Sequence, residues 1–454
     1  MEFAWKTGER KLTVESDTKV SIQLSKEASK DCPHHNLIRK AQEWLKKDGN
    51  ASWCHVWRES NSCADHLAKN EPKFASRIIG VKSPPFSIML LLCFDIRGKS
   101  VGKFRSVSKS WRSLLSDPVF IKAHFDLHLH HPQKFILSSS PPTEKSTLSI
   151  LSFNPTGSAD NDGISKKLTL LENKLTGATI IGSCNGLVLV SKFKRRSRDT
   201  KYYLINPTTM ELVGIPVNPL APWARRGGIG FGYDRSNDDY KIVMFFGSDK
   251  VNNDAYLDVF SLTSGTWRRI DVLCDRPADV KGVFLNGAVH WLGECDGSLI
   301  MSFDLSSEEF KPLPGPSSPP EDSFFDRIEV FGGCLAVVAF TGYSTEVSLN
   351  RGFYMDVWMM KEYGVQESWT KYRPNTHPDT CLSLPVCLLG DDDLVLHVHQ
   401  SLHKLVVHSL TGETKRDMSV TGIGNAFRDV KGFCESLVSP IFYSQKWNQH
   451  KLGV

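Results

Sequence analysis

Two short phrases alternate along the chain from about residue 166 onward, and their spacing limits the folds open to it. The first phrase is a hairpin with Gly or Asp at its turn: Cys184-Asn185-Gly186-Leu187, Leu285-Asn286-Gly287-Ala288, Phe331-Gly332-Gly333-Cys334 and Gly390-Asp391-Asp392-Asp393. Asn-Gly between apolar flanks is the strongest short hairpin signal, because both central residues of the favoured turn need positive φ. The second phrase is a strand, a polar turn and a strand opened by a large apolar residue. It runs Ile205 to Leu212, Phe260 to Trp267, Phe303 to Phe310 and Val407 to Thr414, with a looser copy from Val357 to Trp369. The turn positions 206, 261, 304, about 359 and 409 lie roughly 43 to 55 residues apart. Repeated hairpins at that period predict a β-propeller over about 166–440, one blade per repeat.

The remainder differs in texture. Residues 1–75 alternate strand and helix: strands at Leu12–Glu15 and Ser52–Trp57, helices at Thr18–Glu27, around Leu37–Leu45 and at Asn61–Lys69. Residues 83–125 read as basic and helical. Residues 126–165 are rich in Ser, Pro, Asn and Asp and read as a linker with a possible first strand at Phe135–Leu137, and 441–454 reads as a tail. The expected fold class is therefore multi-domain α+β, with an N-terminal α/β fragment, a short helical segment and a C-terminal all-β propeller-like domain.

Composition narrows the function classes. The 454 residues are 40% hydrophobic and 23% charged, with net charge +5, too mild to imply nucleic acid. Eleven cysteines, an odd number without a C-x-x-C, read as reduced thiols of an intracellular protein of cytoplasm or nucleus. The longest apolar run, Ile88 to Phe94, is far short of the roughly 20 residues that span a bilayer.

Within the helical segment, Phe104-Arg105-Ser106-Val107-Ser108-Lys109-Ser110-Trp111-Arg112-Ser113-Leu114-Leu115-Ser116-Asp117-Pro118-Val119 places Val107, Trp111, Leu114 and Leu115 at helical spacing and stops at Pro118. This phrase resembles the second half of a plant F-box, a helical clamp that docks its protein onto a Skp1-type adaptor and through it onto a cullin. Aligned without a gap, Pro85, Leu92, Ile96, Lys99 and Ser100 fall on positions that match the first half, while Arg97 and Gly98 stand where the family has Pro and Val. The resemblance implies that Pro85, Leu92, Ile96, Val107 and Trp111 bind the adaptor.

The repeat region also resembles a known domain. Gly230-Phe231-Gly232-Tyr233-Asp234, Asp238-Asp239-Tyr240-Lys241-Ile242-Val243, Trp267-Arg268, Gly287-Ala288-Val289-His290-Trp291, Ile300 to Leu305 and Glu435-Ser436-Leu437-Val438-Ser439-Pro440 are similar to phrases of the plant F-box-associated, kelch-like domain. That resemblance implies a non-catalytic receptor subunit of a Skp1–cullin–F-box ubiquitin ligase, which holds a protein target through its β domain.

The N-terminal fragment resembles another family. Val14-Glu15-Ser16-Asp17-Thr18-Lys19 and His55-Val56-Trp57-Arg58-Glu59 running on to Lys69 look like the second half of a plant ribonuclease H-like, reverse-transcriptase-type domain. Such chemistry needs about four carboxylates around two Mg²⁺ ions. Asp17 and Asp65 match the third and fourth. Sixteen residues precede Asp17, so the strand and helix that carry the first two are expected to be missing and the fragment inactive. Two readings from other classes stay open: a retroelement-derived ribonuclease H-like nucleic-acid-binding protein, and a non-functional fusion product.

No other chemistry stands out. The clusters His124, His128, His130, His131 and His397, His399, His403, His408 lack Cys or acidic partners at ligand spacing, so no metal and no cofactor are expected. Lys192 to Arg198 reads as a solvated loop tip and Gly227 to Gly232 as the lead into a strand. Trp267, Trp291, Trp358 and Trp369 read as packing anchors between blades.

Overall fold

The computed structural model describes residues 12–16, 51–55, 120–121, 125, 134–139, 147–153, 163–167, 175–194, 199–220, 226–246, 255–272, 277, 281–293, 299–316, 323–341, 354–374, 383–389, 392–399, 403–411, 414–418, 420–421 and 427–451. The chain divides into two units, residues 1–120 and 121–454. In the first, β1 (Leu12–Ser16) and β2 (Ala51–His55) pair in parallel from Leu12↔Ala51 to Ser16↔His55. These are the two strands expected there. The helices expected over 18–27, 37–45, 61–69 and most of 83–125 lie outside the described residues.

The second unit is a six-bladed β-propeller. Three strands near its start, β3 (Lys134–Ser139), β4 (Thr147–Phe153) and β5 (Gly163–Lys167), are paired antiparallel in sequence order. Blade 1 follows as β6 (Ala178–Cys184), β7 (Leu187–Lys194), β8 (Asp199–Asn206) and β9 (Glu211–Ile215). Blade 2 is β10 (Arg226–Asp234), β11 (Asp239–Phe246), β12 (Ala255–Ser261) and β13 (Thr266–Val272). Blade 3 is β14 (Val283–Leu285), β15 (Ala288–Leu292), β16 (Leu299–Asp304) and β17 (Phe310–Pro314). Blade 4 is β18 (Ser323–Phe331), β19 (Cys334–Thr341), β20 (Tyr354–Met360) and β21 (Trp369–Tyr372). Blade 5 is β22 (Ser383–Leu389), β23 (Asp393–His399), β24 (His403–Ser409) and β25 (Thr414–Met418).

Blade 6 draws on both ends of this unit. Its strand order is β26 (Val420–Thr421), β5, β4, β3 and β27 (Phe427–Phe433), with β27 antiparallel to β3. The innermost strands β6, β10, β14, β18, β22 and β27 stand beside one another in that order, and β27 lies against β6, so the ring is closed. Two sequence expectations change. The segment 126–165, read as a linker, supplies three blade strands. Their apolar signal is broken by Ser, Lys and Thr, and β5 (Gly-Ile-Ser-Lys-Lys) holds one apolar residue, because it lies near the outer edge. The tail is a helix, α1 (Pro440–Lys451).

The second strand of each blade is buried on both faces, which explains the near-continuous apolar runs. Leu187 and Leu189 pack toward blade 2, while Val188 and Val190 pack toward blade 6. All eight residues of β11 are buried and its apolar residues serve the seams on both sides, Ile242 and Met244 facing blade 1 and Val243 and Phe245 facing blade 3. One apolar cluster fills each of the six seams. Trp291 and Phe303 are fully buried between blades 2 and 3, and the expectation of packing tryptophans holds there.

Glycine decides two local geometries. Asn185 and Gly186 have φ of 49° and 76°, as the tight turn between β6 and β7 requires. A Cβ on Gly186 would also meet Ser436 Oγ at 2.4 Å and the Cys434 carbonyl at 2.7 Å. In β10, a Cβ on Gly230 would meet Val289 at 2.2 Å, so the glycine lets blade 3 approach. Gly186→Ala is expected to destabilise the propeller by more than the ~1–2 kcal/mol of left-handed strain. Gly287→Ala, at φ 82° with open space around it, should cost the strain alone. Urea unfolding of the two variants checks the order.

Candidate functional site

The two ends of the ring differ. The turns between strands 1 and 2 and between strands 3 and 4 meet at one end, here the turn end. Connections between strands 2 and 3 and between blades meet at the other, the loop end.

At the turn end, short polar turns are fixed by their own side chains. Asn206 Oδ1 accepts hydrogen bonds from the amides of Thr208 (2.7 Å) and Thr209 (3.1 Å), while its Nδ2 donates to the carbonyls of Ser436 and Val438 at 3.0 and 2.7 Å. Asp304 Oδ1 accepts from the amides of Ser306 (2.8 Å) and Ser307 (3.0 Å). Helix α1 packs over blades 1 and 2 at this end: Tyr443 donates to Asp238 at 2.9 Å, and the Trp447 indole donates to the Leu262 carbonyl. Ile121 packs against the cluster that holds Val438 and Tyr443, and Phe125 lines the axial channel.

Between blades 2 and 3 at this end lies a buried charge network. Lys241 Nζ stands 2.7 Å from Asp234, 2.8 Å from Glu308 and 2.6 Å from the Leu305 carbonyl. Glu308 also pairs with Arg268. Burial works to raise the Asp234 carboxyl, but hydrogen bonds from Asn237, Lys241 and Ser306 outweigh it and hold the group down at about 2. A depressed carboxyl stabilises the fold above its unfolded value near 3.8, and that stability is lost as pH falls toward 2. Asp234→Asn should therefore be less stable than wild type at pH 7. The gap should close between about pH 4 and pH 2, as followed by denaturant midpoints across pH.

One family phrase has a further structural use. His290, on β15, is fully buried, and burial pushes its pKa down to about 4, so the ring is neutral at pH 7. Val283 O, 3.3 Å from Nδ1, can only accept, which leaves Nε2 to accept from Tyr363 Oη at 2.7 Å. Tyr363 belongs to the turn between β20 and β21, so this bond ties blade 4 to blade 3.

Two devices on the outer strands are repeated, and the sequence reading missed both. In blade 2, Asp258 is fully buried, Arg269 pairs with it at 2.8 Å, and the guanidinium lies 3.7 Å over the Tyr256 ring. In blade 4, Asp356 pairs with Arg373 at 2.6 Å, and Arg373 lies 5.3 Å over Tyr354. The repeated Tyr-x-Asp at 256–258 and 354–356 was the available signal. Likewise Trp267 Nε1 donates to the Pro216 carbonyl and Trp369 Nε1 to the Pro314 carbonyl, each at 3.0 Å, stapling a blade to the one before.

The loop end carries exposed apolar groups: Phe193, Val217, Leu220, Phe324 and Tyr354. Val217 and Leu220 lie on a connection held by the Trp267 bond, by Asn218 to Asp258 at 2.7 Å and by Arg269 to the Leu220 carbonyl at 2.8 Å. Along the axis runs a channel of about 890 Å³, lined by the inner strands.

Other expected site residues fare as follows. Pro85, Leu92, Ile96, Val107 and Trp111, and the carboxylates Asp17 and Asp65, lie outside the described residues. His397 and His408 are buried in blade 5, and among the described residues no group of three or more His, Cys, Asp or Glu could hold a metal ion. Among them, too, no helix is long and apolar enough to cross a membrane.

Comparison with known proteins agrees with this architecture. Residues 142–440 match the F-box associated beta propeller domain, and residues 1–71 match the reverse transcriptase-like domain. An F-box/kelch-repeat protein of Arabidopsis thaliana is 28% identical over 304 residues, covering 63% of this chain and 78% of the relative. The F-box protein CPR1 of the same plant is 25% identical over 320 residues, covering 63% of this chain and 71% of the relative.

Proposed function

We infer, from the premise that this chain belongs to the F-box associated β-propeller family, that it is the substrate-recognition subunit of a ubiquitin ligase of the Skp1–cullin–F-box type. The observation that carries the reading is the pairing of a six-bladed ring of this family with an F-box-like phrase directly ahead of it, at Phe104–Val119. The F-box relatives support the same role. In this reading residues 83–125 hold a Skp1-type adaptor through Pro85, Leu92, Ile96, Val107 and Trp111, and the adaptor joins the chain to a cullin. The propeller holds a protein target. The chain makes and breaks no bond itself and acts by proximity. Residues 1–75 are an inactive ribonuclease H-like remnant, and the protein works in cytoplasm or nucleus.

The asymmetry of the ring supports the loop end as the target surface. At the turn end α1, Asn206 and the buried network are engaged in self-contacts over blades 1 to 3, while Tyr363, Val365, Ile441 and Phe442 stay exposed. The loop end holds the longer connections, which is where binding residues gather on rigid scaffolds. Its exposed aromatic and aliphatic groups are the side chains that anchor protein interfaces.

The test is adaptor binding measured by titration calorimetry on the full chain. Wild type should bind. Trp111→Ala should lose more than about tenfold in affinity, the usual cost of truncating a buried interface anchor. The double variant Arg97→Pro/Gly98→Val, which restores the family residues, should bind more tightly than wild type. Absence of binding by wild type would overturn the receptor reading for this chain, whether or not the double variant binds.

A further inference from the structure

Six charged side chains line the axial channel: Lys281, Arg327, Lys431, Asp326, Glu329 and Asp429. They are three of each sign, and all are paired. Arg327 meets its neighbour Asp326 at 2.7 Å. The other two pairs reach across the ring. Asp429, on β27 in blade 6, meets Lys281, just ahead of β14 in blade 3, at 3.3 Å. Blades 3 and 6 are opposite one another in a ring of six. Lys431, two residues further along β27, meets Glu329 on β18 in blade 4, two blades away.

Both long-range pairs therefore start from the strand that closes the ring, and they start with opposite signs. This bears on register. Side chains alternate with period two along a strand, so a slip of one residue turns every side chain to the wrong face, whereas a slip of two keeps the faces. A two-residue slip of β27 against β3 would put Lys431 or Glu435 into the buried site that Phe433 fills. The charges add a second penalty. A slip in one direction sets Lys431 where Asp429 stands, facing Lys281. A slip in the other sets Asp429 where Lys431 stands, facing Glu329. Either places like charges together inside the channel.

We propose that Asp429 and Lys431 reinforce the register in which the last strand closes the propeller, adding to the Phe433 site a penalty on either two-residue slip through opposite charges across the channel. The pairs are partly exposed, with Lys281 40% and Asp429 31% exposed, so their direct contribution to stability is modest. Their effect is discrimination, the best-attested use of inward-facing ion pairs. The register has consequences downstream. It fixes Gly432, whose carbonyl accepts from Ser183 Oγ at 3.1 Å, and the Ser436 and Val438 carbonyls that Asn206 holds. Through these it fixes where α1 begins.

The experiment exchanges the two charges on the closing strand of the full chain, Asp429→Lys with Lys431→Asp. A four-substitution chain adds Lys281→Asp and Glu329→Lys. Thermal unfolding and hydrogen exchange of residues 134–139 and 427–433 are followed. The exchanged chain should melt about 1 to 3 °C below wild type, a shift that a unit of about 330 residues shows for the loss of a few weak pairs. It should lose protection in those two strands ahead of the other blades, or fail to close at all. The four-substitution chain, with both pairs restored in reversed polarity, should regain wild-type melting and protection. An exchanged chain as stable and protected as wild type would overturn the proposal. So would a four-substitution chain that recovers neither.

Discussion

The hydrogen-bonded pairing of β27 with β3 is the interaction on which the rest of the propeller depends. Each blade is a thin antiparallel sheet whose second strand is apolar on both faces, so it stays dry only when a neighbour covers each side. In an open row the two terminal blades would each expose one such face. Closing the ring removes both exposed faces at once, and here closure is made inside one sheet, from residues 134–139 and 427–433. The seams on either side of blade 6 then rest on that sheet: Phe135 and Leu137 face blade 5, and Ile136 and Phe433 face blade 1. The seam with blade 1 is built from residues 136–205 and Phe433, but the seam with blade 5 joins residues 135–151 to residues 386–407, which makes closure a late and long-range event.

Polar groups inside the ring are placed where they join elements. Asn206 has its side-chain amide committed at both ends, to its own turn and to the segment leaving β27. Lys241 carries two carboxylates and a carbonyl across the seam between blades 2 and 3. The Trp267 and Trp369 indoles bind carbonyls of the preceding blades. Where the donor is buried, as at Asn206 and Lys241, leaving it unpaired would cost at least about 1–3 kcal/mol. Most of these bonds lie at the turn end or along the blade edges. The loop end is left with longer connections and exposed apolar side chains, a rigid base carrying a variable surface. This division is what the proposed receptor role requires, since one scaffold can then serve different targets by changing loops alone.

Much of this was legible in the sequence because it is local. Asn185-Gly186, Asn286-Gly287 and Gly332-Gly333 announce their turns through residues that tolerate positive φ, and all three turns join strands 1 and 2 of a blade. The runs Leu187–Val190 and Leu335–Phe340 announce strands buried on both faces. Blade 6 was not legible as a blade. Its strands lie at opposite ends of the unit, and β27 holds Arg428, Asp429, Lys431 and Gly432, residues that on their own argue against a buried strand. The charges of Asp429 and Lys431 make sense once their partners, 148 and 102 residues away, are seen across the channel. The residues proposed to bind an adaptor come from a family phrase rather than from physics, and the loop-end surface has no sequence pattern, because loops are not periodic.

The most direct measurement of ring closure is the unfolding of a chain ending at residue 424, which lacks β27 and α1. If closure holds the propeller together, this chain should lose its cooperative thermal transition and its fixed aromatic environment by near-ultraviolet circular dichroism. A peptide of residues 425–454 added in trans should restore both. A truncated chain that melts cooperatively at the wild-type temperature, with its blades protected from hydrogen exchange, would contradict the account.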